Sequence, residues 1–233
     1  LKPLLTLDKG INLLLKSFFN EMEEIMSQII ACKNKKGIIL ASDSKAVDFN
    51  LQGNMVEVSI RRICQLTTHT AIITGGSAAG EKMCQSLKDF VGQESLLDIE
   101  DVYNAALPFL ASEYERFMRK ACEYLPVDPI NQVHFILAGY SAKDTKNPFQ
   151  LYLLWTKKKL PLLDGDEISG AYSVPRLMSL EYQLGQLRKA KKNIDETLPQ
   201  IKSHLERQSE INDEIAGPFS FAFITRDGFQ TVK

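Results

Sequence analysis

Residues 26–45 read MSQIIACKNKKGIILASDSK, and this stretch sets the architecture of the chain. Ile29-Ile30-Ala31-Cys32 and Ile38-Ile39-Leu40-Ala41 are short apolar runs joined by the polar turn Asn34-Lys35-Lys36-Gly37. Apolar runs of this length bounded by turn residues read as strands. The turn makes them a hairpin, with Gly37 expected at a positive φ. Neither run alternates apolar with polar residues. Strands that are apolar on both faces are covered on both faces, so the hairpin belongs inside a layered domain. Ser42-Asp43-Ser44-Lys45 ends the second strand and leaves an acid at its tip.

Upstream, Ile11, Leu14, Leu15, Phe18, Met22 and Ile25 recur at helical spacing, opposite Asn12, Lys16, Asn20, Glu23 and Glu24. This predicts an amphipathic helix within residues 1–25, with Asp8 as a candidate cap. Downstream, residues 46–54 read as a loop turning at Gly53. Met55–Ser59 and Ile60–Leu66 then read as a strand pair, and Thr70–Thr74 as a buried strand ending in Gly75-Gly76-Ser77-Ala78-Ala79-Gly80. Helices are expected over 81–93 and 99–125, the second capped by Asp98 and stopped by Pro126-Val127-Asp128-Pro129. VHFILAGYS (133–141) and FQLYLLWT (149–156) read as a second hairpin. Gly165 and Gly170 mark turns beyond it. Two more helices follow, over 177–187 and from a cap at Thr197-Leu198-Pro199, and then strands over 219–225 and 229–232 with an Arg226-Asp227-Gly228 turn.

The order of elements is strands, two helices, strands, two helices, strands. Helices on both faces of mainly antiparallel sheets give an α+β, four-layer αββα sandwich. The domain expectation is a single sandwich over 26–233 behind the helix of 1–25. That helix has three readings: a propeptide, a retained assembly helix, or a helix packed on the core or on a neighbouring chain.

The hairpin with Gly37 and Asp43, the Gly75-Gly76 turn, and the Asp213…Gly217 pair in INDEIAGPF together resemble a proteasome-type β subunit of the N-terminal nucleophile hydrolase superfamily. The resemblance covers residues 27–232 and implies the αββα fold. At the family's spacing it places Ser27 at the nucleophile position. A serine hydroxyl attacks a carbonyl when a base takes its proton. In this family the base is the nucleophile's own α-amine, whose pKa of about 8 suits the task. Ser27 therefore qualifies only in a chain that starts there. The resemblance also implies orienting roles for Asp43, Arg62 and Asp213 and an oxyanion donor at Gly75. It implies no cofactor, and assembly into a ring of like or related subunits that encloses a peptide substrate.

This chain departs from the family pattern at five places. Ser27 stands for Thr. Arg62 stands for a Lys, and a guanidinium holds its proton where an ammonium can pass one on. Ala216 stands for a Ser. Ser173 keeps a hydroxyl near the site, but Pro175-Arg176 replaces a Gly-Ser step. Met26 precedes Ser27 where self-cleaving members carry Gly. Three functions stay open: a peptidase, a non-catalytic assembly subunit, and a hydrolase of small amides.

Composition narrows the partners. The 233 residues carry a net charge of −1, 44% hydrophobic and 24% charged residues, enough for one buried core without a bias toward nucleic acid or anionic membrane. Cys32, Cys64, Cys84 and Cys122 have no metal-ligand spacing, and His69, His134 and His204 are scattered. No metal site is expected, and the thiols read as buried residues of a reducing, cytoplasmic setting.

Overall fold

The expected hairpin forms because its two runs have apolar partners on both sides. The computed structural model describes residues 27–49, 55–121, 133–156 and 163–232. β1 (Ile29–Lys33) and β2 (Ile38–Ser42) pair antiparallel, Ile29 opposite Ser42 and Lys33 opposite Ile38, and both strands are buried throughout. They sit at the centre of one sheet, between β10 (Ala171–Val174) on one side and β11 (Ser220–Thr225) followed by β12 (Gly228–Val232) on the other. The facing sheet runs in the order β5 (Ile63–Gln65), β6 (Thr70–Gly76), β7 (Val133–Tyr140), β8 (Phe149–Thr156), β9 (Leu163–Glu167).

Side-chain parity sorts these strands into layers. Ile29 and Ala31 of β1 point between the sheets, where they meet Ile73, Ile136, Leu153, Val174 and Ala222. Ile30 and Cys32 point the other way, onto α3 (Met178–Lys189) and α4 (Ile194–Ile211), against Leu180, Leu184, Ile201 and Leu205. On the far side, α1 (Ala79–Gln93) and α2 (Ile99–Ala121) cover the second sheet through Leu87, Val102, Leu110, Phe135 and Leu154. The architecture is therefore the α+β, four-layer αββα sandwich that the element order implied.

Several local expectations are corrected. Residues 45–49 are a strand, β3 (Lys45–Phe49), and it pairs with β4 (Met55–Ser59); β5 pairs with β6. The pairing of 55–59 with 60–66 does not occur. Gly37 has no positive φ; among the described glycines Gly76 (φ 87°) and Gly228 (φ 121°) do. Gly37 is required for space, because a Cβ there would lie 2.6 Å from the backbone oxygen of Ile224 on β11. The Gly37 turn is held instead by Asn34, whose Oδ1 accepts the N–H groups of Lys36 and Gly37 at 2.8 and 3.1 Å. Gly165 is inside β9, under the ring of Tyr103. α4 begins at Asn193 with a capping box to Glu196, one turn before the expected cap, and carries Pro199 inside it. The expected helix of 1–25, the turn at Gly53, the end of the 99–125 helix and Cys122 lie outside the described residues.

Candidate active site

The tip of β2 and the residues before β1 converge on one buried ion pair. Ser27, Asp43 and Arg62 are 0%, 1% and 0% exposed. Asp43 Oδ1 accepts the Gln28 N–H at 3.0 Å and Arg62 Nε at 3.0 Å. The guanidinium also donates to the carbonyls of Thr74 and Gly76 at 3.5 and 3.4 Å and, through Nη2, to that of Lys45. Arg62 thus ties the end of β6 to the segment leaving β2. A charge pair this deep is expensive to desolvate and survives only with its hydrogen bonds made.

Ser27 follows from parity. It is two residues before Ile29, so it faces the gap between the sheets. Its Oγ accepts the backbone N–H of Gly76 at 2.7 Å. Gly76 donates from a left-handed conformation, which favours glycine. Gly75, the expected donor, lies beside the same hydroxyl: a Cβ on it would sit 3.4 Å from Ser27 Oγ and 3.2 Å from Ile29 Cδ1. Gly75 leaves the room and Gly76 presents the N–H.

Asp213 is exposed and reaches the site through its backbone, where its carbonyl accepts Lys45 Nζ at 2.7 Å. Lys45 also pairs with Glu57 at 2.7 Å. The same loop is pinned at Ala216, whose carbonyl accepts the Ser44 N–H at 3.1 Å and the Ser44 hydroxyl at 3.4 Å. Ser173 is opposite Ile30 in the β1–β10 register, on the face away from Ser27. Its hydroxyl is used by Glu181, at 2.9 Å, and by the Leu177 N–H, at 2.8 Å. The expectation that Ser173 stands near the nucleophile position is corrected by that parity.

Sequence reasoning missed Gly76 and His134. His134 is opposite Gly75 in the β6–β7 register and, like Ile136 and Ala138, points between the sheets. β7 is apolar on both faces, so its sequence does not mark the face that His134 shares; only the register brings His134 beside Gly75. Among the described residues no group of three or more His, Cys, Asp or Glu could hold a metal ion. No described helix is long and apolar enough to cross a membrane.

Burial pushes the Asp43 carboxyl up from 3.8 to about 6; the Arg62 charge and the Gln28 N–H pull it back only in part. The same burial pulls Arg62 below its ordinary value, against the raising effect of Asp43. For Asp43 the folded chain holds a proton that the unfolded chain releases between the two values. Stability from this group is therefore fully present below 3.8 and is lost as pH rises through about 6. The expected loss is on the order of a few kcal/mol, since a tenfold change in proton affinity corresponds to about 1.36 kcal/mol. Urea denaturation at pH 4.5 and 7 should show roughly two-thirds of this fall in the wild type and a flatter profile in Asp43→Asn. Identical pH slopes in the two proteins would refute it.

No family model matches the chain, and no curated protein matches it either. Among solved structures, it is similar to a chain of the helical assembly of the Anbu complex from Pseudomonas aeruginosa. The TM-score is 0.63 at 13% identity, over 88% of this chain and 86% of that one. At that identity the likeness shows the fold alone, which is proteasome-like. These findings overturn the narrower attribution to the proteasome-type β subunits. The similar chain belongs to Anbu, which is proteasome-like but a distinct family, and no model of any family supports membership for this one.

Proposed function

We propose that this chain is an amide-bond hydrolase with Ser27 as an N-terminal nucleophile, working on peptides within a self-assembled oligomer. The reading is carried by one observation, the buried Ser27 hydroxyl held at 2.7 Å by a backbone N–H at the end of β6, next to Gln28, whose own N–H binds Asp43 of the Asp43–Arg62 pair. In a chain that begins at Ser27, the α-amine takes the hydroxyl proton as Oγ attacks the substrate carbonyl. The oxyanion forms beside Ser27 Oγ, within reach of the Gly76 N–H. The amine then gives the proton to the leaving nitrogen, the acyl group stays on Oγ, and water releases it. Asp43 and Arg62 hold the segments that carry these groups, and Asp213 anchors the neighbouring loop through Lys45.

A second reading is favoured by Arg62 itself. Its donors are spent on a carboxylate and three carbonyls, so it fixes structure and relays no proton. In that reading residues 1–26 stay attached and the chain is a structural subunit of a homo-oligomer; a ring and a helical stack are both compatible with it. The Anbu structure is itself a helical assembly.

The state of the N-terminus separates the two. Intact mass and N-terminal sequencing of the protein from its native host are expected to give a chain starting at Ser27. That chain, released from a cleavable fusion, should hydrolyse amide substrates, while the same chain with residues 1–26 attached should not. Peptide and small-amide substrates tested side by side assign the substrate size. A native chain that keeps residues 1–26, with no turnover in the released form, would leave the structural reading.

A further inference from the structure

The walls of a cleft of about 460 Å³ are built from both sheets. Gly75, His134 and Trp155 are successive cross-strand neighbours on β6, β7 and β8, and His134 and Trp155 line the cleft. Adjacent strands are about 4.8 Å apart, so the cleft begins one strand from Gly75. Asp166 of β9, opposite inward-facing Leu153, extends this wall. Tyr172 of β10, opposite inward-facing Ala31, forms the other, with Arg176 beyond it.

We propose that this cleft binds the basic side chain of a peptide, a guanidinium or an ammonium. The inference rests on the hydrolase reading for where the peptide lies; the chemistry of the cleft argues independently for what enters it. Its aromatic wall already accepts a guanidinium, because Arg176 lies 4.3 Å over the Tyr172 ring. The positive charge of Arg176 is matched by Glu181, through bonds of 2.8 and 2.6 Å. Glu167 at the rim is matched by Lys33 at 3.4 Å. Asp166 is exposed and has no ion-pair partner among the described residues. Among the described residues the charge left over in the cleft is negative, and Trp155 supplies a second aromatic surface beside it. A cationic side chain finds both, whereas an acidic one meets Asp166 and Glu167.

Trp155 is the sole tryptophan, so its fluorescence reports on this cleft directly. The full chain is titrated with Nα-acetyl-arginine methylamide and with the uncharged Nα-acetyl-norleucine methylamide. The arginine probe should change the emission saturably and bind more tightly than the norleucine probe. Asp166→Asn, an exposed and conservative change, should weaken the arginine probe roughly three- to ten-fold and leave the norleucine probe unchanged. No saturable change with the arginine probe, equal affinity for the two probes, or an unaltered Kd in Asp166→Asn would each overturn the proposal. Binding is read without turnover. A chain that binds the arginine probe but hydrolyses nothing keeps the cleft and removes the hydrolase reading; an active chain blind to the probe does the reverse.

Discussion

Arg62→Ala is expected to lower the free energy of unfolding by about 3–5 kcal/mol, the usual cost of leaving a buried charge without its partner. Typical domains hold only about 5–15 kcal/mol in total, so this single change would bring the chain near its unfolding threshold. The cost has three sources. Asp43 would keep its place in a fully buried site with the Gln28 N–H but without the cation. The carbonyls of Thr74, Gly76 and Lys45 would lose a shared donor. A side-chain volume with no exposed surface would become a cavity. Arg62→Lys should fall between, since an ammonium restores the charge but cannot reach a carboxylate and three carbonyls in one planar fork. Replacing both partners, as in Asp43→Leu with Arg62→Met, removes the desolvation cost along with the attraction and should recover much of the loss. Urea denaturation of the single and double variants checks the set. A loss below about 1 kcal/mol in Arg62→Ala would mean that the pair behaves as an exposed one.

The fold was legible wherever a strand or helix carries its own pattern. The β1–β2 hairpin could be read because Ile29–Cys32 and Ile38–Ala41 are apolar on both faces, and both faces are covered, one by the opposite sheet and one by α3 and α4. The helices could be read from their stripes. β3 could not: Lys45-Ala46-Val47-Asp48-Phe49 is short, and it exists by pairing with β4 at the edge of the site. The start of α4 was hidden by Pro199, which drew the cap to Thr197, although Asn193 and Glu196 hold the capping-box spacing. The wider lesson concerns glycines. Gly37 reads as a turn residue and is a contact residue, pressed against the backbone of β11; Gly76 sits in a strand and has a left-handed backbone.

The site was legible only in part, for a reason of register. Asp43 and Arg62 are nineteen positions apart and could be joined on resemblance alone; the sequence has no local feature that requires their contact. Ser27, Gly76 and His134 become neighbours because β1 lies over β6 and β6 pairs with β7, and a slip of one residue would turn each to the opposite face. The same logic separates fold from family. Layer order depends on hydrophobic periodicity, which tolerates almost complete replacement of side chains, as the 13% identity to the Anbu chain shows. Family and activity depend on a few positions, and five of those depart from the proteasome pattern here. Chemistry must therefore be tested at the residues themselves.

Ser27→Ala is expected to abolish amide hydrolysis, with a fall in kcat of at least about 10³-fold, because the nucleophile is the one group the mechanism cannot replace. The fold should survive. Alanine removes one oxygen and leaves the Gly76 N–H without an acceptor, which costs about 1–3 kcal/mol if no water reaches it. The Asp43–Arg62 pair and the Gln28 N–H bond do not involve the Ser27 side chain and stay in place. Oligomer mass should thus stay the same and the melting temperature fall by about 2–4 °C per kcal/mol lost, with unfolding still cooperative, while turnover disappears. Acetylating the released α-amine of the wild type is the sharper test, since it keeps the hydroxyl and removes only the base. The two modifications should reduce kcat to the same floor, because hydroxyl and amine act as one unit. Turnover that survives acetylation but not Ser27→Ala would leave Ser27 as nucleophile and move the base elsewhere. His134, on the same inward face next to Gly75, would then be the group to replace. Turnover that survives both would take the reaction away from Ser27 altogether.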